Sequence, residues 1–193
     1  MSYEHSVLSR VARYEGPIFK VFTDEVTMSS GSTAHRDVVQ NKGAVGVVAL
    51  DEVGRVVLIR QYRHAVRQRL WELPAGLRDV EGENLARTAA RELAEEADLE
   101  AGQYHLLIDL FTSPGFSDET VRIFLARDLS SVPDESRFER TDEEADLEVA
   151  RIDLDEAVAM VFRGEITNAA AVGGLLAAAR ARDEGWATLR PAS

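Results

Sequence analysis

The sequence predicts an α/β fold in which a mixed or antiparallel sheet is packed between helices, in α/β/α layers. Strand and helix patterns come in mixed order around one central helix, and two helices close the chain. The first forty residues add a separate run of antiparallel strand patterns. No G-x-G-x-x-G follows a strand and no G-x-x-x-x-G-K-[ST] occurs, so dinucleotide-type and nucleotide-loop phosphate binding are unsupported. The 193 residues suffice for a sizeable core.

The first half of the chain predicts short strands. The runs VARYEG, FKVFTDEVTM and AHRDVVQN alternate apolar and polar residues around a Ser/Gly turn at 29–32. Val45–Leu50 and Val56–Arg60 are β-branched runs joined by DEVG, which predicts a hairpin. The segment WELPAG (71–76) predicts a short strand that is broken by its proline and ended by its glycine.

The second half predicts helices and strands in alternation. Residues 83–97 have helical periodicity. Tyr104–Phe111 and Thr120–Ala126 predict strands on either side of a Pro-Gly turn, and LEVARI predicts another strand after an acidic loop. Helices are expected near Leu154–Arg163 and Asn168–Arg182.

Composition excludes several classes of function. The formal net charge of -12 argues against nonspecific binding to nucleic acid, which requires basic surfaces. Cysteine is absent, so disulfides, thiolate metal sites and cysteine nucleophiles are excluded. No apolar signal core and no run long enough to span a bilayer occurs. We therefore expect a cytoplasmic protein that contacts neither membrane nor nucleic acid.

The segment RELAEEAD, residues 91–98, gathers four acidic residues among eight. On a helical wheel, Glu92 and Glu96 are four residues apart and lie at the edge of an apolar stripe. Like charges at this spacing repel, and burial near the core makes the charged form still less favourable. Either both carboxylates are solvated, as on most helices, or they bind a hard cation such as Mg²⁺. The stripe consists of Leu85, Ala86, Ala89, Ala90, Leu93 and Ala97, beside a solvated ion-pair ladder of Glu83, Arg87, Arg91 and Glu95.

The residues that precede this acidic segment favour the second interpretation, in which the carboxylates bind a cation. ELPAGLRDVEGENLARTAARELAEEADL, residues 72–99, resembles the Nudix signature, in which a glycine precedes a glutamate and then an Arg-Glu-aliphatic-x-Glu-Glu-x-Gly helix. The segment departs from the signature at two places. The spacing from Gly76 to Glu83 is one residue longer than usual, so the loop Leu77–Gly82 is expected to bulge. Asp98 replaces the final glycine. We expect Asp98 to end the helix in a left-handed conformation. The matching residues are Gly76, Glu83, Arg91, Glu92, Leu93, Glu95 and Glu96.

This resemblance implies a Nudix-type α/β/α sandwich with a mixed sheet, preceded by an N-terminal antiparallel β-segment. It also implies hydrolysis of a diphosphate linked to another group, with Mg²⁺ as cofactor and Mn²⁺ as the alternative. By resemblance, the metal ligands are Glu92 and Glu96, with Glu95 assisting and the backbone carbonyl of Ala75 as a further ligand. Arg91 would orient Glu83 and Glu95.

Outside the signature, most of the chain is similar to bacterial ADP-ribose pyrophosphatases, notably actinobacterial ones. The similarity lies in AHRDVVQNKGAVGVVAL, VVLIRQYRHAVRQRLWELPAG, SPGFSDETVRIFLA and DEEADLEVARIDLDEA. It implies metal-dependent hydrolysis of ADP-ribose to AMP and ribose 5-phosphate. The residues that it assigns to substrate binding are Arg36, Arg63, Glu72 (to the base or a ribose), Phe19 (stacked on adenine, with Phe22 as the alternative), and the turn containing Ser113 and Gly115.

The acidic loop Thr141–Asp146 has two readings. Most such charge runs are solvated loops. The resemblance instead places a catalytic carboxylate here, Glu144, which accepts a proton from the attacking water, and Glu143 is the competing choice.

The resemblance further implies a homodimer. We expect residues 1–42 to form an N-terminal β-segment that serves dimerisation and substrate contacts, with Arg36 acting across the interface, and residues 43–193 to form the Nudix hydrolase domain. The alternatives are a Nudix hydrolase of other nucleoside diphosphate sugars or dinucleotides, or a non-enzymatic Nudix-fold binding module.

Overall fold

The structure is a computed structural model that describes residues 6–78, 80, 82–138 and 146–192. The chain divides into two compact units. One comprises Met1–Gly43 with Phe111–Thr120, and the other Ala44–Leu110 with Val121–Ser193. The roles expected for residues 1–42 and 43–193 stay predictions.

The first unit contains a three-stranded antiparallel sheet, as the alternating patterns predict. Its strands are β1 (Val7–Glu15), β2 (Phe19–Thr27) and β3 (Thr33–Asn41), in the order β1-β2-β3. Every residue of β1 is exposed.

Residues 111–120 attach to β3 within this unit. The N–H of Val39 donates to the carbonyl of Phe116 at 2.7 Å, and the N–H of Asp118 donates back to the carbonyl of Val39 at 3.2 Å. The side chain of Asp118 also accepts from the N–H of Asn41 at 2.7 Å. The Ser-Pro-Gly-Phe turn is therefore fixed against the end of β3.

The remaining strands form two sheets. One is mixed, with the order β11-β8-β9-β4-β7, and within it β4 pairs parallel with β9 and antiparallel with β7. The other is antiparallel, with the order β10-β5-β6. The strands are β4 (Ala44–Ala49), β5 (Arg55–Arg63), β6 (Gln68–Glu72), β7 (Ala75–Leu77), β8 (Leu99–Phe111), β9 (Thr120–Ser131), β10 (Glu148–Asp153) and β11 (Arg190–Pro191).

Helices cover both faces of the mixed sheet, and the alternation of side chains along β4 explains how. Val45 and Val47 belong to a core cluster with Leu93 of α1. Val48 belongs to a second cluster with Leu175 of α3. The predicted α/β/α layering is therefore confirmed. The helices are α1 (Leu85–Ala97), α2 (Leu154–Phe162) and α3 (Ala169–Asp183).

The hairpin predicted between β4 and β5 is wrong beyond its turn. Asp51 N–H donates to the Arg55 carbonyl at 2.9 Å, and Leu50 bridges Val56. The two strands then enter different sheets. Both runs are apolar on both faces, and such a pattern indicates a buried strand without indicating its neighbour.

The predicted break at Pro74 is confirmed, and it separates two strands. β6 before it pairs with β5, whereas β7 after it pairs with β4. Proline has no N–H to give to a ladder, but its carbonyl accepts from the N–H of Val47 at 2.9 Å. The strand β7 continues one residue beyond Gly76, where the sequence predicted its end.

Helix α1 begins and ends at capping residues. The side chain of Asn84 accepts from the N–H of Ala86 at 2.8 Å, so the helix starts at Leu85, two residues later than the periodicity suggests. Asp98 ends the helix at φ 53° and ψ 38°, which confirms the predicted left-handed cap. No helix within the described ranges has the length and apolarity needed to cross a membrane.

Candidate active site

Two carboxylates of α1 lie against strand β7. Glu96 Oε2 accepts from the N–H of Ala75 at 2.8 Å. Glu92 is 9% exposed and Glu96 is 6% exposed, which contradicts the reading in which both point into solvent. Both residues were predicted at the edge of the apolar stripe, and their burial there brings two acidic groups to one strand.

Gly76 provides the space for Glu92. A Cβ added at Gly76 would lie 2.0 Å from Cδ and 2.1 Å from Oε1 of Glu92. Its φ is not positive, so the requirement for glycine at this position is spatial. The glycine of the signature therefore lets a carboxylate of α1 rest directly on the strand backbone.

Arg91 connects the carboxylates of this region. Its Nη1 lies 2.7 Å from Glu92 Oε1 and 3.2 Å from Glu95 Oε2, and its Nη2 lies 3.9 Å from Glu83 Oε2. Arg91 therefore contacts Glu83 and Glu95, the two glutamates that it was predicted to orient, and also Glu92, while the orienting role stays a prediction. The region contains this one guanidinium and four carboxylates, those of Glu83, Glu92, Glu95 and Glu96. Its formal charge is therefore negative.

The donor set fits a hard divalent cation. Its members are carboxylate oxygens, which Mg²⁺ prefers, and the carboxylates of Glu92 and Glu96 are buried against the same strand. Within the described part of the chain, no three His, Cys, Asp or Glu side chains are already gathered around a common point. Ligation by Glu92, Glu95, Glu96 and Ala75 stays a prediction.

Arg63 and Glu72 bind each other across β5 and β6. Arg63 Nε donates to Glu72 Oε1 at 3.0 Å, and Nη2 donates to Oε2 at 2.7 Å. Gln61 Nε2 adds a contact of 3.4 Å to the same carboxylate, which is 3% exposed. The sequence assigned both residues to the substrate without predicting their pairing. The Arg63 side chain is 44% exposed, so the pair presents its cationic member outward.

Phe19 lies in the first unit beside a small cleft. The residue is 39% exposed, and its ring packs against Tyr14 with 5.4 Å between the centroids. The cleft has a volume of about 200 Å³ and is formed by the β1–β2 turn and the end of β3. Its lining residues are Gly16, Pro17, Ile18, Phe19, Lys20, Gln40, Asn41 and Lys42.

Phe22, the alternative stacking residue, is half-buried and already has a cation over its ring. The guanidinium of Arg10 lies 4.7 Å from its ring centroid. That guanidinium is fixed by two hydrogen bonds of 2.7 Å to Asp24, which lower the pKa of the Asp24 carboxyl. The choice of Phe19 over Phe22 as the stacking residue stays a prediction.

Three further residues assigned to the substrate also lie in the first unit. Arg36 is exposed on β3, where Nη1 donates to the His35 carbonyl at 2.9 Å. The Ser113 carbonyl accepts from the N–H of Ser117 at 2.9 Å, and a Cβ at Gly115 would meet no atom within 4 Å. The backbone at this turn is open to a ligand, and the substrate roles of all three stay predictions.

Glu143 and Glu144 lie outside the described residues. The described residues that follow them are held by Arg69 of β6. Its Nη2 donates to the Asp146 carbonyl at 2.7 Å and lies 3.1 Å from Glu148 Oε1.

Thr88 is a polar residue of α1 that the sequence analysis missed. It is 1% exposed, and its hydroxyl donates to Glu83 Oε2 at 2.9 Å. The signal was present, because Thr88, Glu92 and Glu96 follow at intervals of four residues and therefore share one line of the helix.

Comparison with known proteins agrees with this geometry. An ADP-ribose pyrophosphatase of Mycobacterium tuberculosis is 44% identical over 189 residues, 98% of this chain and 89% of that protein. An ADP-ribose pyrophosphatase of Bacillus subtilis is 32% identical over 168 residues, 87% of this chain and 89% of that protein. A crystal structure of an ADP compounds hydrolase matches with a TM-score of 0.81 over 95% of this chain and 97% of that one. At its 22% identity, that likeness shows the fold alone.

The family model for the NUDIX domain matches residues 40–171, which include β4 to β10, α1 and the buried carboxylates described above. The match covers more than half of the chain, and the two relatives align with nearly their whole length. The chain belongs to the NUDIX domain family.

Proposed function

We propose that this protein hydrolyses ADP-ribose to AMP and ribose 5-phosphate and that it depends on a divalent cation, Mg²⁺ with Mn²⁺ as the alternative. The observation that carries the proposal is the pair of buried carboxylates at positions 92 and 96 over Ala75 and Gly76. The near-full-length similarity to two ADP-ribose pyrophosphatases supports the choice of substrate.

In the reaction, a water oxygen attacks one phosphorus of the diphosphate, and the bond from that phosphorus to the bridging oxygen breaks. One proton leaves the water, and the two phosphate groups separate as AMP and ribose 5-phosphate. A divalent cation held by Glu92, Glu95, Glu96 and the Ala75 carbonyl would supply neutralisation of the diphosphate and acidification of water.

The protein's own groups position the reactants. Arg91 holds Glu92 and Glu95, which would otherwise repel each other. Glu144, with Glu143 as the alternative, accepts the proton from the attacking water. The residues proposed to bind the substrate are Phe19 on adenine, Glu72 on the base or a ribose, and Arg36, Arg63, Ser113 and Gly115 along the rest.

The test is product analysis with purified protein. ADP-ribose with Mg²⁺ or Mn²⁺ should give AMP and ribose 5-phosphate. Other nucleoside diphosphate sugars and dinucleotides are assayed separately as comparison substrates. Glu96→Gln is the matched variant, because it keeps the shape of the side chain and removes the charge. We expect turnover to fall by about 100-fold or more, with unchanged thermal unfolding.

Two outcomes would contradict the proposal. Faster cleavage of another nucleotide would support a different hydrolase of the same family. Inactivity with both metals would support a binding module.

The assignment of the base has its own test. Glu144→Gln should lower kcat far more than Glu143→Gln, because a general base contributes about 100-fold or more to the rate. An equal and mild effect of both changes would refute the assignment to this loop.

We also propose a homodimer. Strand β1 exposes apolar side chains along its length, among them Leu8 at 54%, Val11 at 46% and Tyr14 at 51%. An exposed apolar patch of this kind marks an interaction surface, and the resemblance favours a second copy, with Arg36 acting across the interface. Light scattering should give twice the mass of the chain. A monomer with full activity would refute the dimer.

A further inference from the structure

Thr88 is a buried hydroxyl on the face of α1 that carries the acidic residues. Three of the buried residues of α1 are polar, Thr88, Glu92 and Glu96, and they follow each other at successive turns. The two glutamates are already assigned to the proposed cation site. The threonine is 1% exposed and belongs to no part of the signature.

The hydrogen bond of Thr88 has an unusual acceptor. A threonine inside a helix ordinarily donates to the backbone carbonyl of the preceding turn. Here Oγ1 donates to Oε2 of Glu83 at 2.9 Å. Since Glu83 precedes the cap residue Asn84, this bond draws a carboxylate from outside the helix back over its first turn. An ionised carboxylate only accepts, so the hydroxyl hydrogen must point at Glu83.

The anchored carboxylate lies at one end of the Arg91 guanidinium. Glu83 Oε2 is 3.9 Å from Arg91 Nη2, while Nη1 at the other end contacts Glu92 Oε1 at 2.7 Å. A guanidinium is planar and rigid, so a charge held at Nη2 restricts the direction of Nη1. The contacts form a chain from hydroxyl to carboxylate to guanidinium to carboxylate.

We infer that Thr88 is a positioning residue for the cation site, acting through Glu83 and Arg91 on the carboxylate of Glu92. The inference rests on the proposed function. Without the hydroxyl, the Glu83 carboxylate, whose side chain is 21% exposed, gains freedom to turn toward solvent. Arg91 then loses the carboxylate at Nη2, one of the three charges that fix its orientation, and its Nη1 contact with Glu92 becomes less constrained.

The experiment compares Thr88→Val with Thr88→Ser in the full chain. Valine keeps the branched shape and the burial but removes the donor, whereas serine keeps the donor. The first readout is the binding of Mn²⁺ in the absence of substrate. Binding is measured from the electron paramagnetic resonance signal of the Mn²⁺ that remains free. We expect Thr88→Val to weaken Mn²⁺ binding by about tenfold and Thr88→Ser to bind as the wild type does.

Two further measurements separate positioning from a purely structural role. With ADP-ribose, Thr88→Val should lower kcat while KM stays unchanged. In a Glu83→Gln background, Thr88→Val should have little additional effect, because the hydroxyl acts through Glu83.

Thr88→Val that binds Mn²⁺ like the wild type, even with a lower unfolding temperature, would overturn the inference. Wild-type protein that binds Mn²⁺ without cleaving ADP-ribose would refute the proposed function alone, and the Mn²⁺ comparison would still decide the role of Thr88. Wild-type protein that binds no Mn²⁺ would overturn both.

Discussion

Replacing Gly76 by alanine tests the geometry of the candidate site with a single methyl group. The added Cβ would lie 2.0 Å from Cδ of Glu92. Carbon atoms in a packed interior approach to about 3.5 Å, so the carboxylate must move by about 1.5 Å. The Glu92 side chain is flexible, and the φ of Gly76 is not positive, so alanine fits the backbone there. The carboxylate can therefore move aside without strain in the backbone.

The expected effect falls on catalysis. A misplacement of about 1 Å can cost about 100-fold in rate, which corresponds to about 2.7 kcal/mol of transition-state stabilisation. We therefore expect Gly76→Ala to lower turnover of ADP-ribose by about 100-fold, with an unfolding temperature close to that of the wild type. Steady-state kinetics at saturating metal and thermal unfolding measure the two quantities.

Gly46→Ala is the matched control on the neighbouring strand. Gly46 lies opposite Ala75 in the β4–β7 pair. A Cβ there would meet Ile123 at 3.7 Å and Leu73 at 3.8 Å, which are ordinary contacts. This variant should keep wild-type turnover. If Gly76→Ala hydrolysed ADP-ribose as fast as Gly46→Ala, the position of Glu92 would be irrelevant to the reaction.

Three other changes probe packing, charge and substrate. Gly174→Ala places a Cβ 2.8 Å from Leu73 Cδ1; overpacking outweighs the gain in helix propensity, and denaturant unfolding should show a net loss of about 1 kcal/mol. The bond from Arg10 holds the pKa of Asp24 below its ordinary 3.8, so this pair contributes stability above pH 3.8 that is lost as the pH falls through the folded-state value. The stability difference between wild type and Arg10→Met should therefore shrink on acidification. Phe19→Ala should raise KM for ADP-ribose by about tenfold, since base stacking contributes about 1–3 kcal/mol.

Periodicity and capping chemistry were sufficient to predict α1 and the position of Glu92 and Glu96 at the edge of its apolar stripe, but not whether the two carboxylates are buried. The helical wheel placed Glu92 and Glu96 beside the apolar stripe, and the structure buries both. Asp98 was expected in a left-handed cap because asparagine and aspartate tolerate that conformation, and it adopts it. These are local properties, decided within one or two helical turns.

Pairing across distant segments could not be predicted. The runs that form β4 and β5 carry the same apolar signal, yet their partners lie in different sheets. The strand β8 begins at Leu99, five residues before the predicted start, because it continues directly after the helix cap. The bidentate pair of Arg63 and Glu72 also depends on register, which no single strand pattern contains.

The position of β7 explains why the candidate site needs both a helix and a strand. β7 is the last strand of its sheet, and the edge of a sheet presents unpaired N–H and carbonyl groups. The Ala75 N–H is used by a carboxylate of α1, which shows that this residue faces away from β4. In an extended strand the N–H and the carbonyl of one residue point to the same side, and those of the next residue point to the opposite side. Along β7, the backbone groups of successive residues therefore point alternately toward β4 and away from it. The Pro74 carbonyl accordingly points to β4, where it accepts from Val47. Ala75 thus directs its carbonyl toward the acidic face of α1, and this favours Ala75 over Pro74 as the backbone ligand of a cation.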